Sequence, residues 1–422
     1  MSPDMIIDME RKMGEGCERK LLLWKKEIEL NKSAELLMKE VKEKQVTNVV
    51  SRNAEDDMEL EVVVDMSETV VQGYRMFGED TYKQCKTLVL HGNDDLSCVS
   101  EEDLESAIQL QHHRKLPSYK LVGDNIDIMI HARIQTQQLH ENRSIHWTQQ
   151  YGILNRVNEP SLDRSRPQKP LQEIQLIELL PGKDVQENLK TRWAALVARV
   201  ICKYLGKFKH LKRALVYHIQ HKYSKEMADK SETCCLGIQF ANSNVASEMV
   251  QLLQTNHERY VPAMKCEDGN IILEQVPLHG DQLFEERSRN AKWSMQDGDT
   301  EWDRLDGIET EFADWHAKLN LYMIEFSIFS SHSSVNEIGT SRASMNRTGK
   351  TNASKGVENH YNEYKEFHLC ETEAHICASF MEMCGMLNME DHPTFDVPDD
   401  SVTREIQRKW LMETCAKFVT SM

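Results

Sequence analysis

The chain has 422 residues with 51 Lys+Arg against 68 Asp+Glu, a formal charge of −17. Its 40% hydrophobic and 28% charged residues can build a core and exclude the disordered and collagen-like classes. The absence of an apolar run of ~18 residues excludes an integral membrane protein, and a start without a signal-peptide pattern excludes secretion.

Eleven cysteines without a short disulfide framework fit a reducing compartment, so an intracellular protein is expected, nuclear or cytoplasmic. Residues 1–62 read as a helix followed by an acidic linker. In the helix Leu21, Leu22, Trp24, Ile28, Leu36, Leu37 and Val41 recur among Lys and Glu; the linker is centred on Asn53–Glu61. Residues 63–118 read as an acidic helical segment broken near His91–Asp95. A core domain is expected over 119–388, with a loop and final helix over 389–422 that opens after Asp399-Asp-Ser401, a good N-cap cluster.

Tyr119–Arg133 is the best strand candidate. Alternation places Val122, Asp124, Ile126, Ile128 and Ile130 on one face, provided the chain is not bulged at Gly123. A second extended run, Ile271–Leu278, ends at Gly280-Asp281 and leads into a helix; Pro277 marks it as an edge strand or a strand end. Between the two lie a proline-rich loop, Glu159–Pro181, and a helical basic insertion over 188–260. The pattern is α+β, mostly helical, around a small mixed β-sheet.

The insertion begins with a charge anomaly. From Asn188 to Lys225 there is no Asp or Glu but ten Lys/Arg, so the remainder of the chain carries −27. Leu196, Val197, Val200, Ile201, Tyr204 and Phe208 follow helical spacing, while Arg192, Arg199 and Lys203 share another face. With Lys207, Lys212 and Arg213 they form a local basic face suited to nucleic-acid phosphates. The alternative is that these cations neutralise the acidic body of the same protein.

Asp124 on an apolar strand face needs a cation or several donors, unless Gly123-Asp124-Asn125 is a bulge or turn that it caps. Asp127, on the opposite face, is the second choice. Asp281 ends a strand before a helix, where an ordinary N-cap is the simpler role. Strand-end aspartates joined by a helical acid are what a two-metal site requires, with Mg²⁺ or Mn²⁺ as the ion. Glu366 and Glu373 are the helical acids expected here, off a buried stripe of Cys370, Ala374, Cys377, Met381 and Cys384. His146, Arg287, Asp314, His316 and Asn320 are further polar candidates, His316 and Asn320 lying one helical turn apart.

Other motifs fail on inspection. Ser344–Thr351 lacks the first glycine of a phosphate-binding loop and the strand that should feed it. Asp297–Asp303 has alternating acids, but Trp302 occupies the obligatory glycine position of a calcium loop. Zinc is not expected, because no C-x-x-C or H-E-x-x-H spacing occurs.

Val122-Gly-Asp-Asn-Ile-Asp127, Asn142-Arg-Ser-Ile-His-Trp147, Tyr260-Val-Pro262, Gly280-Asp-Gln-Leu283 with Glu286-Arg287, Arg304-Leu-Asp-Gly307 and Asp314-Trp-His-Ala-Lys-Leu-Asn320 occur in that order. This ordered set, over about Leu116–Leu387, resembles the eukaryotic domain-of-unknown-function family 6589. The resemblance implies a mobile-element origin and, by analogy with transposases, a ribonuclease-H-like core with a helical insertion and a three-carboxylate site. Phe284 departs from the Thr or Ser usual in the family after Gly-Asp-Gln-Leu. The function expected is Mg²⁺-dependent nuclease- or transposase-like phosphodiester chemistry, in an active or a decayed copy. The alternatives are a non-enzymatic helical interaction protein and a DNA-binding protein without catalysis.

Overall fold

Alternation in the first strand candidate is realised as β1 (Tyr119–Ile130), which pairs antiparallel with β2 (Arg143–Leu154) over its whole length without a register shift. Gly123-Asp124-Asn125 is therefore neither bulge nor turn. The computed structural model describes residues 17–39, 83–84, 116–130, 143–158, 169–266, 269–330, 337 and 339–422. The expected acidic linker and nearly all of the 63–118 segment lie outside these residues. The chain divides into two compact units, Met1–Asn158 with Met227–His316, and Glu159–Glu226 with Ala317–Met422.

In the first unit β2 pairs antiparallel with β3 (Thr233–Gln239), and β1 pairs in parallel with β6 (Val276–Gly280). In turn, β6 pairs in parallel with β7 (Ile308–Phe312), giving a mixed five-stranded sheet in the order β3-β2-β1-β6-β7. The expected run Ile271–Leu278 is thus divided. Ile271 and Ile272 belong to β5 (Gly269–Ile272), which forms a separate hairpin with β4 (Ala263–Cys266), and only Val276 onward joins the main sheet. Nor is β6 an edge: it lies between β1 and β7. Its ladder to β1 is formed by Leu278 and His279, so Pro277 falls just before it, where the missing N–H is tolerated. Residues 188–260 are likewise not wholly helical, since β3 lies among them.

One face of the sheet is covered. Helix α1 (residues 17–39) supplies Leu21 and Ile28, α3 (Ala246–Tyr260) supplies Met249, Leu252, Leu253 and Tyr260, and α4 (Gln282–Ser294) supplies Phe284 and Ala291. They bury Leu121, Cys234, Leu236, Val276, Leu278 and Ile308. Lys25 on α1 donates to the carbonyls of Glu258 and Arg259 at 3.2 and 3.1 Å, placing a cation on the C-terminal end of α3 where the helix dipole favours it. Tyr119 Oη donates to Tyr260 O at 2.5 Å and ties β1 to the same end. By alternation the opposite face carries Val122, Asp124 and Ile126 of β1, Trp147 and Tyr151 of β2, His279 of β6 and Glu311 of β7.

In the second unit α2 (Lys183–Tyr204), the 3-10 segment Gly206–Ala214, α7 (Tyr361–Met383) and α8 (Arg404–Ser421) enclose Val197, Ile201, Phe208, Phe380, Leu411 and Phe418. The buried stripe of α7 is Tyr364, Phe367, Cys377, Phe380 and Cys384, whereas Cys370 is exposed. The aromatic side chains offer far more apolar area than Cys370 or Ala374 and set the rotation of the helix. Leu196 is also exposed, because the buried stripe of α2 is formed by Ala194, Val197, Ala198 and Ile201. α5 (Asp314–Phe329) begins in the first unit's sequence, and α6 (Ser341–Arg347) caps on Thr340. No helix among the described residues is long and apolar enough to cross a membrane.

Gly123 lies flush against α4: a Cβ there would fall 2.6 Å from Phe284 Cζ, well inside van der Waals contact. Gly123→Ala is expected to lower stability by about 1–3 kcal/mol through overpacking, read as a shift in urea midpoint, with Phe284→Leu restoring part of it. A second prediction concerns His257 on α3, which is buried, accepts the Gly307 N–H on Nε2 at 3.1 Å and packs on Trp302. Burial first, then Lys292, lowers its pKa from 6.5 to about 4. Between those pH values the unfolded imidazole binds a proton that the folded one refuses, so this contribution is complete above pH 6.5 and lost as pH falls towards 4. The wild type should lose about 3 kcal/mol more than His257→Gln across that window, measured by denaturant titration.

Candidate functional site

Parallel pairing of β1 with β6 sets the frame for the two aspartates. Val122 stands beside His279 in the last pair of that ladder; Asp124 follows two residues on within β1, and Asp281 follows β6 as the N-cap of α4. Asp281 continues the extended backbone of β6 with φ −69° and ψ 170°, and neighbouring strands run about 4.8 Å apart. Gly123 and Gly280 both lie under the ring of Phe284. Asp124 alternates with Gly123 along β1 and so belongs to the opposite, open face, whereas Asp281 lies past β6 and turns its carboxylate to the N-terminus of α4. The sheet order reverses between these strands: β1 leads to β2 on one side and β6 leads to β7 on the other. Crevices at the carboxyl ends of strands at such a switch point are where mixed and parallel sheets bind ligands. Asp281 stands at the carboxyl end of β6, but Asp124 lies midway along β1, so the expected strand-end position holds for Asp281 alone.

Asp124 is exposed, and its Oδ1 accepts the Asn125 N–H at 2.8 Å. Asp281 is the N-cap of α4: its Oδ1 accepts the Phe284 N–H at 2.5 Å. Its Oδ2 has no hydrogen-bond partner among the described residues. Next to this pair, His279 Nε2 lies 3.1 Å from Glu311 Oε2. The imidazole is held below its ordinary pKa by burial and then by Lys120, against the opposing pull of Glu311 and Asp314. Asp314 follows Ala313, whose N–H donates to Gly280 O at 2.7 Å, so α5 starts at the same end of the sheet as Asp281. Composition and motif reading overlooked His279, Glu311 and Lys120. Their signal is positional, since each falls on the open face once the register is known.

Asp127 and His146 are directly opposed across β1 and β2, on the other face from Asp124. His146 Nδ1 is 2.6 Å from Asp127 Oδ1, and His146 Nε2 is 3.0 Å from Ser144 Oγ. The order is that of nucleophile, base and orienting acid. With Asp127 63% and His146 34% exposed, water competes for every bond in the relay. Arg287 donates to Asn244 Oδ1 rather than to either strand aspartate. His316 meets Trp315 edge to face at 4.6 Å, and Asn320 is exposed one turn further along α5.

In the second unit most of the basic window is occupied internally. Lys203 bonds Glu373 at 2.8 Å, Lys209 pairs with Glu390 at 3.4 Å and Arg213 with Asp400 at 3.2 Å. Arg199 donates to the carbonyls of Val216 and Tyr217 at 3.1 and 3.0 Å. Arg192, Lys207 and Lys212 form no ion pair among the described residues. Burial alone would raise the Glu373 pKa, but hydrogen bonds from Lys203 and Tyr204 outweigh it and hold the carboxyl below its usual range. Glu366 is paired with Lys350 at 2.6 Å. Among the described residues no three His, Cys, Asp or Glu side chains converge as a ready metal cage.

Residues 166–413 match the family of unknown function DUF6589. The chain belongs to that family. Asp281, Asp314, Glu366 and Glu373 lie within the matched stretch, and Asp124, Asp127 and His146 precede it. No curated protein and no solved structure matches the chain.

The two roles open to Asp281 can be separated by substitution. Asparagine caps a helix about as well as aspartate, so Asp281→Asn should stay within a few tenths of a kcal/mol of wild type, whereas Asp281→Ala should lose about 1 kcal/mol. Thermal and urea unfolding check both values.

Proposed function

We propose that this DUF6589 protein derives from a transposable element and acts on phosphodiesters of nucleic acid with Mg²⁺ or Mn²⁺, as a nuclease or transposase does. The observation that supports the reading is the parallel pairing of β1, which carries Asp124, with β6, which leads directly into Asp281, at the switch point of the sheet. A three-strand antiparallel meander extended by two parallel strands is compatible with a ribonuclease-H-like core, and an acid on β1 with another just past β6 suits its chemistry. The lack of a ready three-ligand cage is consistent with Mg²⁺, which commonly binds through one or two carboxylates and completes its shell with waters and substrate phosphates. Asp124 and the free Oδ2 of Asp281 would hold it. A divalent ion there supplies an activated water and offsets phosphate charge.

Other residues, in each unit taken by itself, fit the same task. The α4 N-terminus beside Asp281 presents backbone N–H groups and a positive dipole end to an anion. Asp314 is the third carboxylate in this reading, because Glu366 and Glu373 each already hold a lysine in the second unit. Arg192, Lys207 and Lys212 remain as cations for the nucleic-acid backbone. Such a substrate puts the protein's work inside the cell, in the nucleus or the cytoplasm. Nucleic-acid binding without cleavage is the second reading, favoured by the engagement of Asp281 as a cap.

Labelled DNA and RNA incubated with the full chain and Mg²⁺ or Mn²⁺ should be cleaved or joined. Asp124→Asn and Asp281→Asn should each reduce the rate by about 10²–10³-fold, with Mn²⁺ binding by calorimetry weakened in parallel. Wild-type protein that binds nucleic acid but shows no metal-dependent turnover would leave the second reading standing and end the first.

A further inference from the structure

We infer that the open face of the five-stranded sheet is a stacking platform for single-stranded nucleic acid, with Tyr151, Trp147 and Phe240 receiving bases on either side of Asp124. The inference rests on the phosphodiester reading above and names the form of the substrate.

The register sets the arrangement. Val122 opposes Tyr151, Asp124 opposes Gln149 and Ile126 opposes Trp147, and residues directly opposed across a ladder share a face. Thr148 opposes Gln239, so Phe240 follows in the position beside Trp147. Their rings meet edge to face at 5.1 Å and 80°. Phe240 reaches this face through a bulge. The β2–β3 register shifts between Gln150 and Tyr151, and Gly237 takes φ +82°. The extra residue leaves Leu236 in the core and turns Phe240 outward. The segment after β3 is then fixed by Thr148 Oγ1 donating to Ala241 O at 3.0 Å and by Ser243 Oγ donating to Asn125 Oδ1.

Phe240 is 65% exposed and Tyr151 38% exposed, so they are held out of the core on rigid strands where an open sheet face ordinarily carries polar residues. Tyr151 and Trp147 are four strand residues apart, about 13–14 Å. That spans two nucleotides of an extended strand, each covering roughly twice the 3.4 Å duplex rise. The charge on the face decides between single strand and duplex. Asp124 and Glu311 outnumber Lys120, so backbone attraction cannot lead the recognition there, whereas the faces of bases are neutral and stack on aromatic rings. A duplex keeps those faces inside its own stack. A single strand can lay them on Tyr151 and on the Trp147–Phe240 pair, bringing the intervening phosphate over Asp124.

The test is fluorescence anisotropy of the full chain with short labelled thymidylate and uridylate oligomers and with a duplex of equal length, at fixed salt in EDTA. The single strands should bind at least about tenfold more tightly than the duplex. Phe240→Ala and Tyr151→Ala should each weaken single-strand binding by about 5- to 150-fold, while Phe240→Trp retains it. Phe240→Ala should leave the melting temperature unchanged, because the side chain is exposed. A preference for DNA or for RNA would identify the strand and supports the inference in either case. Equal affinity for duplex and single strand, or alanine variants that bind as wild type, overturns it. Because EDTA removes the metal, single-strand binding without Mg²⁺-dependent cleavage sinks only the phosphodiester reading. Metal-dependent cleavage without single-strand preference sinks only this inference.

Discussion

Two glycines on paired strands, one within β1 and one at the end of β6, fix the geometry of the first unit. Gly123 and Gly280 leave a shallow floor on which the ring of Phe284 rests, and a Cβ at either position would collide with that ring. Phe284 is fully enclosed among residues of β1, β6 and α4. A slip of one residue in β1 would turn Leu121 outward and Asp124 into the core; it would also bring Val122 and Ile126 inward, so the exclusion of Asp124 and the glycine floor, more than apolar alternation, oppose it. Phe284 is the residue that fills the space above both glycines. A smaller, polar side chain there would leave a void on the buried face of the sheet.

Legibility in the sequence followed the direction in which side chains are buried. β1 was readable as a strand from the alternation of Val122, Ile126, Ile128 and Ile130. That series is interrupted at Asp124, and Val122 and Ile126 lie on the open face, whereas Tyr119 and Leu121 are the residues buried. Asp124 is therefore exposed to water and not on an apolar buried face as expected. β2 was not readable, because its polarity is inverted: Thr148 and Gln150 point into the core at 0% exposure, while Trp147 and Tyr151 lie on the open face. No rule based on apolar alternation assigns such a strand to the correct side. β6 is five residues long and carries a proline, and its central place depends on parallel partners more than 20 residues away on either side. Asp124 and Asp281 were legible only as two separate acids. The register of β1, β6 and β7 is what places His279 and Glu311 side by side on the open face.

Charge shows the same division between local and distant information. The ten cations of Asn188–Lys225 stood out because no acid interrupts them. Their partners, Glu373, Glu390 and Asp400, come from α7 and from the chain that follows it, some 170 to 190 residues later. Exposed pairs of this kind contribute little stability each. They nevertheless remove Lys203, Lys209 and Arg213 from any uniform basic surface. Of the six cations first assigned to phosphate, Arg192, Lys207 and Lys212 form no ion pair among the described residues and are not spent on backbone carbonyls as Arg199 is. Recognition by a few cations and by aromatic rings is consistent with a protein whose total charge is strongly negative.

Capping and metal binding at Asp281 are compatible because a carboxylate has two oxygens. Oδ1 takes the Phe284 N–H, which fixes the side-chain rotamer and leaves Oδ2 directed by the same bond. Hydrogen bonds of this kind orient metal ligands in well-built sites, and their loss weakens binding even when the ligand remains. Phe284 therefore acts twice: its ring covers Gly123 and Gly280, and its backbone N–H holds the Asp281 carboxylate in place. Asp124 has a bond only to the adjacent Asn125 N–H among the described residues. On the proposed reading, an ion would therefore find its pre-oriented carboxylate at Asp281 and not at Asp124.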